Sequence, residues 1–338
     1  MERTSKMSKL IIKTPGKLYI AGEYAVVSGE EAILMPTAKT IDITIEPNDY
    51  YLLNNKQITL NDTSLQLTNT YLYNAIQTAH NYLSEVKPYA LNIQSHLKLE
   101  HYPKLGLGTS GALTIGVINA ITRVHGKRLT PLHLYKLGVI AQIDKIKHSS
   151  FGDLATSAYQ HWIRYQMPNT TWLIEELKND SLINLINKEW PDLMIQSIEP
   201  IPYPMLVIYT KQPANSTSLV TSVMANKETQ LYQRFLDQSK QYLNQITKAR
   251  SYTHFAEAIQ ALQSNFETLS ILSDTILITP EMKKIEQLVQ KHKGVMKFSG
   301  AGGGDCVLAY FPTHNDYHQA HQTIKHHFPI LNSFFKGV

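Results

Sequence analysis

Residues 104–113, KLGLGTSGAL, set a lysine, three glycines (Gly106, Gly108, Gly111) and two hydroxyls (Thr109, Ser110) ahead of a long apolar run. Small residues let a backbone approach an anion. Successive N–H groups, and the N-terminus of a helix that follows, point partial positive charge at it. The chemistry this implies is phosphate binding. The spacing also fits the dinucleotide fingerprint G-x-G-x-x-G, which needs a strand directly before it and an acidic residue about 20 positions on. No Asp or Glu lies between Gly111 and Asp144, and EHYPK separates the loop from the preceding strand-like stretch, which argues against a dehydrogenase. A Walker A sequence and the H-R-D of protein kinases are absent, and FGD at 151–153 is not D-F-G. A glycine-rich turn that merely lets a buried helix pack closely stays open as the structural alternative.

Two further stretches stand out. In 14–34, TPGKLYIAGEYAVVSGEEAIL, an apolar strand-like pattern carries Lys17 and Glu23. Charges inside such a pattern need partners or a task. In 297–310, KFSGAGGGDCVLAY, the glycine run is explained by neither strand nor helix propensity and reads as a turn of close approach. A solvated lysine and a plain hairpin turn are the bland alternatives.

The elements that must position these stretches follow from periodicity. Residues 40–47 alternate, with Ile41, Ile43 and Ile45 on one face, as in a half-buried strand. Residues 50–60 read as a hairpin turning at Asn54-Asn55, and 90–99 as another strand. Helical spacing covers 70–83; 110–124 is apolar almost all round, predicting a buried helix, and Pro131 opens a helix reaching about Asp144. Then follow a buried strand at 204–211, long helical segments over 216–247 and 252–270, and a helix from Pro280. Two strands flank the glycine run, and a last helix starts near Asn315. The shift from strands to helices and the prolines at 200–204 place a boundary near 195, giving α+β domains over 8–195 and 196–338 with a cleft between them.

Composition sets outer limits. The chain has 338 residues, 43% of them hydrophobic, enough for one large or two medium domains. Its formal charge of +5 is scattered, without the dense basic stripe of a nucleic-acid binder, and an anionic small substrate fits it as well as a solvated surface does. No apolar run is long enough for a membrane span and no secretory signal is visible. Cys306 is the only cysteine, so no intramolecular disulfide forms, which fits a cytoplasmic location. Oligomeric state is left open, a homodimer included. His314, His318 and His321 share a helical face, but no carboxylate or cysteine completes a metal set, and Cys306 has no evident histidine partner.

Taken together, the stretches at 15–17, 106–112 and 299–304 resemble, in order, the three motifs of the GHMP small-molecule kinases: a P-G-K strand, a G-L-G-[ST]-S-[AG] phosphate loop and an [ST]-G-A-G-G-G loop. Within that family, GKLYIAGEYAVV and HSSFGDLA (148–155) are most similar to the bacterial phosphomevalonate kinases. Tyr24 stands where mevalonate kinases tend to carry histidine, and Asp305 follows the glycines where they more often have glycine or cysteine. The resemblance implies a ribosomal-S5-like N-terminal domain and a ferredoxin-like C-terminal domain. It implies ATP and Mg²⁺ as cofactors and 5-phosphomevalonate as the acceptor.

It also implies roles. Lys17 lies between donor and acceptor phosphates; Asp153, matching the family's catalytic aspartate, pairs with Lys17 and orients the acceptor. Lys104 and the loop Gly106, Leu107, Gly108, Thr109, Ser110, Gly111 and Ala112 cradle ATP, with Ser110 on Mg²⁺. Ser149 and Ser150, with Lys211, Ser216, Thr217 and Ser218, contact the acceptor, and Gly302, Gly303 and Gly304 close over it. A mevalonate kinase, whose alcohol acceptor would need Asp153 as a base, is the alternative within the family. A nucleotide-binding protein without catalysis is the alternative outside it.

Overall fold

A computed structural model describes residues 9–59, 69–102, 104–143 and 149–335. His148 and the expected end of a helix at Asp144 fall outside them. The first half is built on a sheet whose spine is the long strand β2. In chain order the elements are β1 (Leu10–Ala21), β2 (Ala32–Pro47), β3 (Leu52–Leu53), β4 (Lys56–Gln57), helix α1 (Thr70–Tyr82), β5 (Tyr89–Ser95), α2 (Thr109–Val124), α3 (Pro131–Gln142) and α4 (Gly152–Tyr159). They are followed by β6 (Ile163–Gln166), α5 (Thr170–Asn179), α6 (Leu182–Asn187) and β7 (Met194–Ser197). β1 runs antiparallel along one edge of β2. On the other edge β5 pairs with the second part of β2 and β6 with the first. β3 joins β5 in parallel, β4 closes the hairpin, and β7 pairs with β6.

Local chemistry explains these elements. Ile41, Ile43 and Ile45 all point into the core, as the alternation predicts. Asn54 and Asn55 both take positive φ, the backbone that a two-residue hairpin turn requires. α2, apolar all round, is buried between the sheet and α1, α3 and α4. β7 extends the first sheet to Ser197, so a boundary at 195 would cut through a strand; the first sheet ends two residues later.

The second half contains β8 (Met205–Tyr209), α7 (Ser216–Met224), α8 (Gln230–Lys248), α9 (Tyr252–Ser273), α10 (Pro280–Gln290), β9 (Val295–Ser299), β10 (Cys306–Tyr310) and α11 (His314–Ile324). Its antiparallel sheet runs β8-β10-β9, and a single bridge from Ile208 to Ile330 marks a fourth position beyond β8. In order of appearance this is 4-1-3-2, the ferredoxin-like arrangement. The continuous helix expected over 216–247 is instead two, because Thr229 caps a fresh start through a hydrogen bond from the Tyr232 N–H at 3.2 Å. Strands β6 and β7 and helices α5 and α6 have no counterpart among the elements expected from sequence. No described helix is long and apolar enough to cross a membrane.

Candidate active site

β1 places Lys17. A register shift between Pro15 and Lys17 breaks its ladder with β2 and redirects the side chain. The Lys17 N–H donates instead to the Leu107 carbonyl at 2.8 Å, which docks the glycine loop onto the strand. The Lys17 ammonium donates to the Gly106 carbonyl at 3.3 Å and lies 4.9 Å from the centre of the Tyr19 ring. Burial lowers its pKa, while Asp153, Asp305 and Glu23 pull it back up.

Asp153 sits in the first turn of α4. Its Oδ1 accepts the Leu154 N–H at 3.0 Å, and Ser110 Oγ lies 3.5 Å from its Oδ2. Burial raises the carboxyl's pKa, opposed by Lys17 and by backbone N–H groups of Leu154 and Gly111. Lys17 and Asp153 are thus electrostatic neighbours without a direct ion pair. Gly111 explains their fit: a Cβ there would lie 2.6 Å from the Asp153 carboxylate. Gly106 does the same for Asp305, whose carboxylate would be 2.4 Å from a Cβ at that position.

These groups line one cleft of about 410 Å³ between the two halves of the chain. Lys17, Lys104, Gly106, Leu107, Gly108, Thr109, Ser110, Ser149, Ser150, Asp153, Ser216 and Thr217 all reach it. Gly111 and Ala112 lie behind it in α2, both buried. Lys104 stands at its rim, but its ammonium donates to the Ala214 carbonyl at 2.9 Å in the second half.

Other expected residues lie elsewhere. Lys211 is exposed, with its ammonium 5.7 Å from the centre of the Phe328 ring, and Ser218 is an exposed residue of α7 whose N–H is capped by Asn215. Gly302, Gly303 and Gly304 do not cover the cleft. They pack against the Leu277 carbonyl, the Leu219 side chain and the Gln212 carbonyl, and the wall they support is Ser299, Gly300, Ala301 and Asp305.

Several lining residues escaped the sequence reading, among them Tyr71, Val220, Ser299 and Asp305. Tyr19 lies two positions from Lys17 on β1 and so shares its face, although the sequence left open whether it lines the cleft or is structural. Glu23, singled out as a charge in an apolar stretch, forms a buried ion pair with Lys297 that also lends its ammonium to the Phe298 carbonyl. The second oxygen of Glu23 has no protein partner.

Among the described α-helices, nine start with an Asn, Ser or Thr side chain that accepts a hydrogen bond from their first turn. The two that do not are α2 and α4, which begin at Gly108 and Phe151, both at positive φ. Both open into the cleft. Thr109 and Ser110, at the start of α2, line the cleft, whereas the Gly111 and Leu154 N–H groups serve the Asp153 carboxylate and the Gly152 N–H donates to Ser150 Oγ at 3.4 Å. No group of three or more metal-ligating side chains occurs among the described residues.

Comparison with known proteins agrees. The model of the GHMP kinases N terminal domain matches residues 70–161 and that of the GHMP kinases C terminal matches 244–330, together more than half the chain. A phosphomevalonate kinase from Streptomyces sp. is 25% identical, covering 90% of this chain and 91% of its own. A mevalonate kinase from Methanocaldococcus jannaschii is also 25% identical, covering 88% and 91%. The crystal structure of Streptococcus pneumoniae phosphomevalonate kinase with phosphomevalonate and AMPPNP superposes with a TM-score of 0.82 at 24% identity, over 93% of this chain and 95% of that one. With its ordered motifs gathered in one cleft and both of its halves matched, the chain belongs to the GHMP kinase family.

Proposed function

We propose that the protein is a phosphomevalonate kinase, moving the γ-phosphoryl group of ATP onto the phosphate of 5-phosphomevalonate. The observation that carries this reading is one cleft that joins the uncapped start of α2 and the Lys17 ammonium to a group of hydroxyls opposite them. A kinase with an alcohol acceptor needs one phosphate site. The α2 N-terminus suits the donor phosphates, and Lys17 with the hydroxyls suits a second phosphate. The hydroxyls of Ser149, Ser150, Ser216, Thr217 and Ser299 line the same cleft and suit an anionic acceptor. The Streptomyces relative supports the same choice.

In this reading an acceptor phosphate oxygen attacks the γ-phosphorus, the bond from that phosphorus to the β,γ-bridging oxygen breaks, and ADP leaves. A phosphate monoester has a second pKa near ~6 and is already nucleophilic at pH 7. The task is therefore neutralising repulsion rather than removing a proton. Lys17 bridges the two phosphates. The N–H groups of Gly108 to Ser110 hold the donor, and the hydroxyls of Ser149 and Ser150 hold the acceptor. Asp153 keeps Lys17 charged. Ser110 and Asp153 offer a hydroxyl and one carboxylate, which fits an ion held mostly by nucleotide phosphates, and Mg²⁺ held there would neutralise charge on the β and γ oxygens.

Mevalonate kinase is the second reading. It is favoured by the raised pKa of Asp153, suited to taking a proton from an alcohol, and by the M. jannaschii relative at equal identity. The deciding experiment supplies Mg-ATP with phosphomevalonate, mevalonate, galactose or homoserine and follows ADP release. Turnover with phosphomevalonate alone is expected. Turnover with mevalonate alone replaces the first reading by the second.

A further inference from the structure

Tyr19 touches three parts of the cleft: Lys17, the start of α4 and the wall from the second half. Its phenol oxygen lies 2.6 Å from Ser150 Oγ. Its ring face receives the Lys17 ammonium at 4.9 Å from the centroid. Its backbone N–H donates to Ser299 Oγ at 2.9 Å, tying β1 to the wall contributed by the second half. At Gly152, in the first turn of α4, a Cβ would lie 2.5 Å from the phenol oxygen, so α4 starts as close to Tyr19 as a glycine allows.

Ser150 is held from two sides. Its carbonyl accepts the Tyr165 hydroxyl at 2.6 Å, and Tyr135 in turn lies 2.9 Å from the Tyr165 oxygen. Because Tyr165 spends its one proton on Ser150, Tyr135 must be the donor of that second bond. Between Tyr19 and Ser150 either oxygen can donate, and Ser150 Oγ also accepts the Gly152 N–H at 3.4 Å. A serine hydroxyl has one proton. If Tyr19 donates to Ser150 Oγ, the Ser150 proton is free for an anion in the cleft. Burial raises the pKa of Tyr19 and keeps that donor protonated.

We propose that Tyr19 is a positioning residue of phosphoryl transfer: its hydroxyl turns the Ser150 proton toward the acceptor phosphate, and its ring seats the Lys17 ammonium between the two phosphates. This rests on the phosphoryl-transfer reading above. The two halves of the side chain have separate effects. The hydroxyl acts on acceptor binding through Ser150, and the ring acts on turnover through Lys17.

Steady-state kinetics on Tyr19→Phe, Tyr19→Leu, Ser150→Ala and the Tyr19→Phe/Ser150→Ala double variant test this in the full chain. Tyr19→Phe is expected to raise the acceptor KM about five- to tenfold, the worth of one hydrogen bond, with kcat and the ATP KM within about twofold. The double variant is expected to be no worse than Ser150→Ala alone. Tyr19→Leu is expected to lower kcat at least about tenfold further. An unchanged acceptor KM in Tyr19→Phe, equal rises in both KM values, or additive losses in the double variant overturns the hydroxyl role. A kcat for Tyr19→Leu equal to that of Tyr19→Phe overturns the ring role.

A substrate-free measurement separates failure of this inference from failure of the functional reading. Carbamylation of Lys17 by cyanate, followed by peptide mass spectrometry, is expected to run about threefold faster in Tyr19→Leu and unchanged in Tyr19→Phe. Equal rates in all three proteins overturn the ring contact whether or not any acceptor is turned over. If wild type turns over no acceptor, the functional reading fails and the Ser150 role falls with it. Should Tyr19→Leu not fold, Tyr19→Met takes its place in both measurements.

Discussion

The Lys104 ammonium and the Asp305 carboxylate face each other across the rim of the cleft, Nζ to Oδ2 at 3.9 Å, one from the phosphate loop and one from the turn after the glycine run. Asp305 is buried, and its other oxygen accepts the Ala214 N–H at 3.0 Å. The pair therefore joins the two halves of the chain and sets the charge that an incoming nucleotide meets. Lys104→Met leaves the Asp305 charge facing the phosphates and is expected to raise the ATP KM about tenfold or more. Asp305→Asn is expected to restore part of that loss when added to Lys104→Met. A four-protein kinetic cycle measures the coupling, and strictly additive effects would show that the two residues act independently.

In the proposed transfer the alkaline limb of activity is expected to report Lys17. Its role there needs the charged ammonium, and burial lowers its pKa from the ordinary 10.5. The charge is therefore lost earlier as pH rises than for a solvated lysine, so kcat/KM, which reports the free enzyme, is expected to fall on the alkaline side below pH 10.5. Lys17→Arg keeps a charge through that range and should remove the limb even where overall activity is reduced. Lys17→Met should lower kcat about a hundredfold or more at every pH. A limb that persists unchanged in Lys17→Arg would assign it to another group.

Gly111→Ala sets helix propensity against close packing. Within α2 alanine is the better helix former, by about 1 kcal/mol. Its methyl group, however, meets the Asp153 carboxylate at 2.6 Å and the Asp153 backbone at 2.9 Å, so the start of α4 must move. The expected result is a kcat lower by about tenfold to a hundredfold together with a lowered melting temperature. Thermal unfolding and kinetics on one preparation check both halves of the statement.

The Glu23–Lys297 pair is buried on both sides, and removing one partner strands the other. Lys297→Met is expected to cost about 3–5 kcal/mol of stability by urea unfolding. Adding Glu23→Gln should recover a large part, because the stranded charge is gone. Equal losses in the single and double variants would place the cost in packing instead.

Much of the cleft was legible because its residues carry local signatures. Lys17 stands out as a charge in an apolar strand, the 106–111 loop by its glycines and hydroxyls, and the strands and helices around them by period. Ser299 was visible only as the first residue of the third motif and Asp305 only by its place after the glycines: their part depends on how the turn after β9 meets β1 and the phosphate loop, contacts between residues 280 and nearly 200 apart. The glycine run was legible as a place of close approach, but the sequence did not show what approaches. Gly302, Gly303 and Gly304 face their own half of the chain, while the residues flanking them face the cleft. The caps separate in the same way. Asn, Ser and Thr at helix starts are visible in sequence, yet only the fold shows that the two helices without such caps share one cleft.

The bonds that join β1 to β9 have a consequence for synthesis. Tyr19 waits 280 residues for Ser299, and Glu23 waits 274 for Lys297. A chain still emerging from the ribosome holds the whole phosphate loop and Lys17 but presents Glu23 as a carboxylate with no counter-charge to bury it. The first half can complete its sheet early, yet it cannot assemble a working cleft until almost the last strand has been made. Loop closure over such a span makes this the late step of folding. A truncated product would keep the phosphate loop and lack the means to use it.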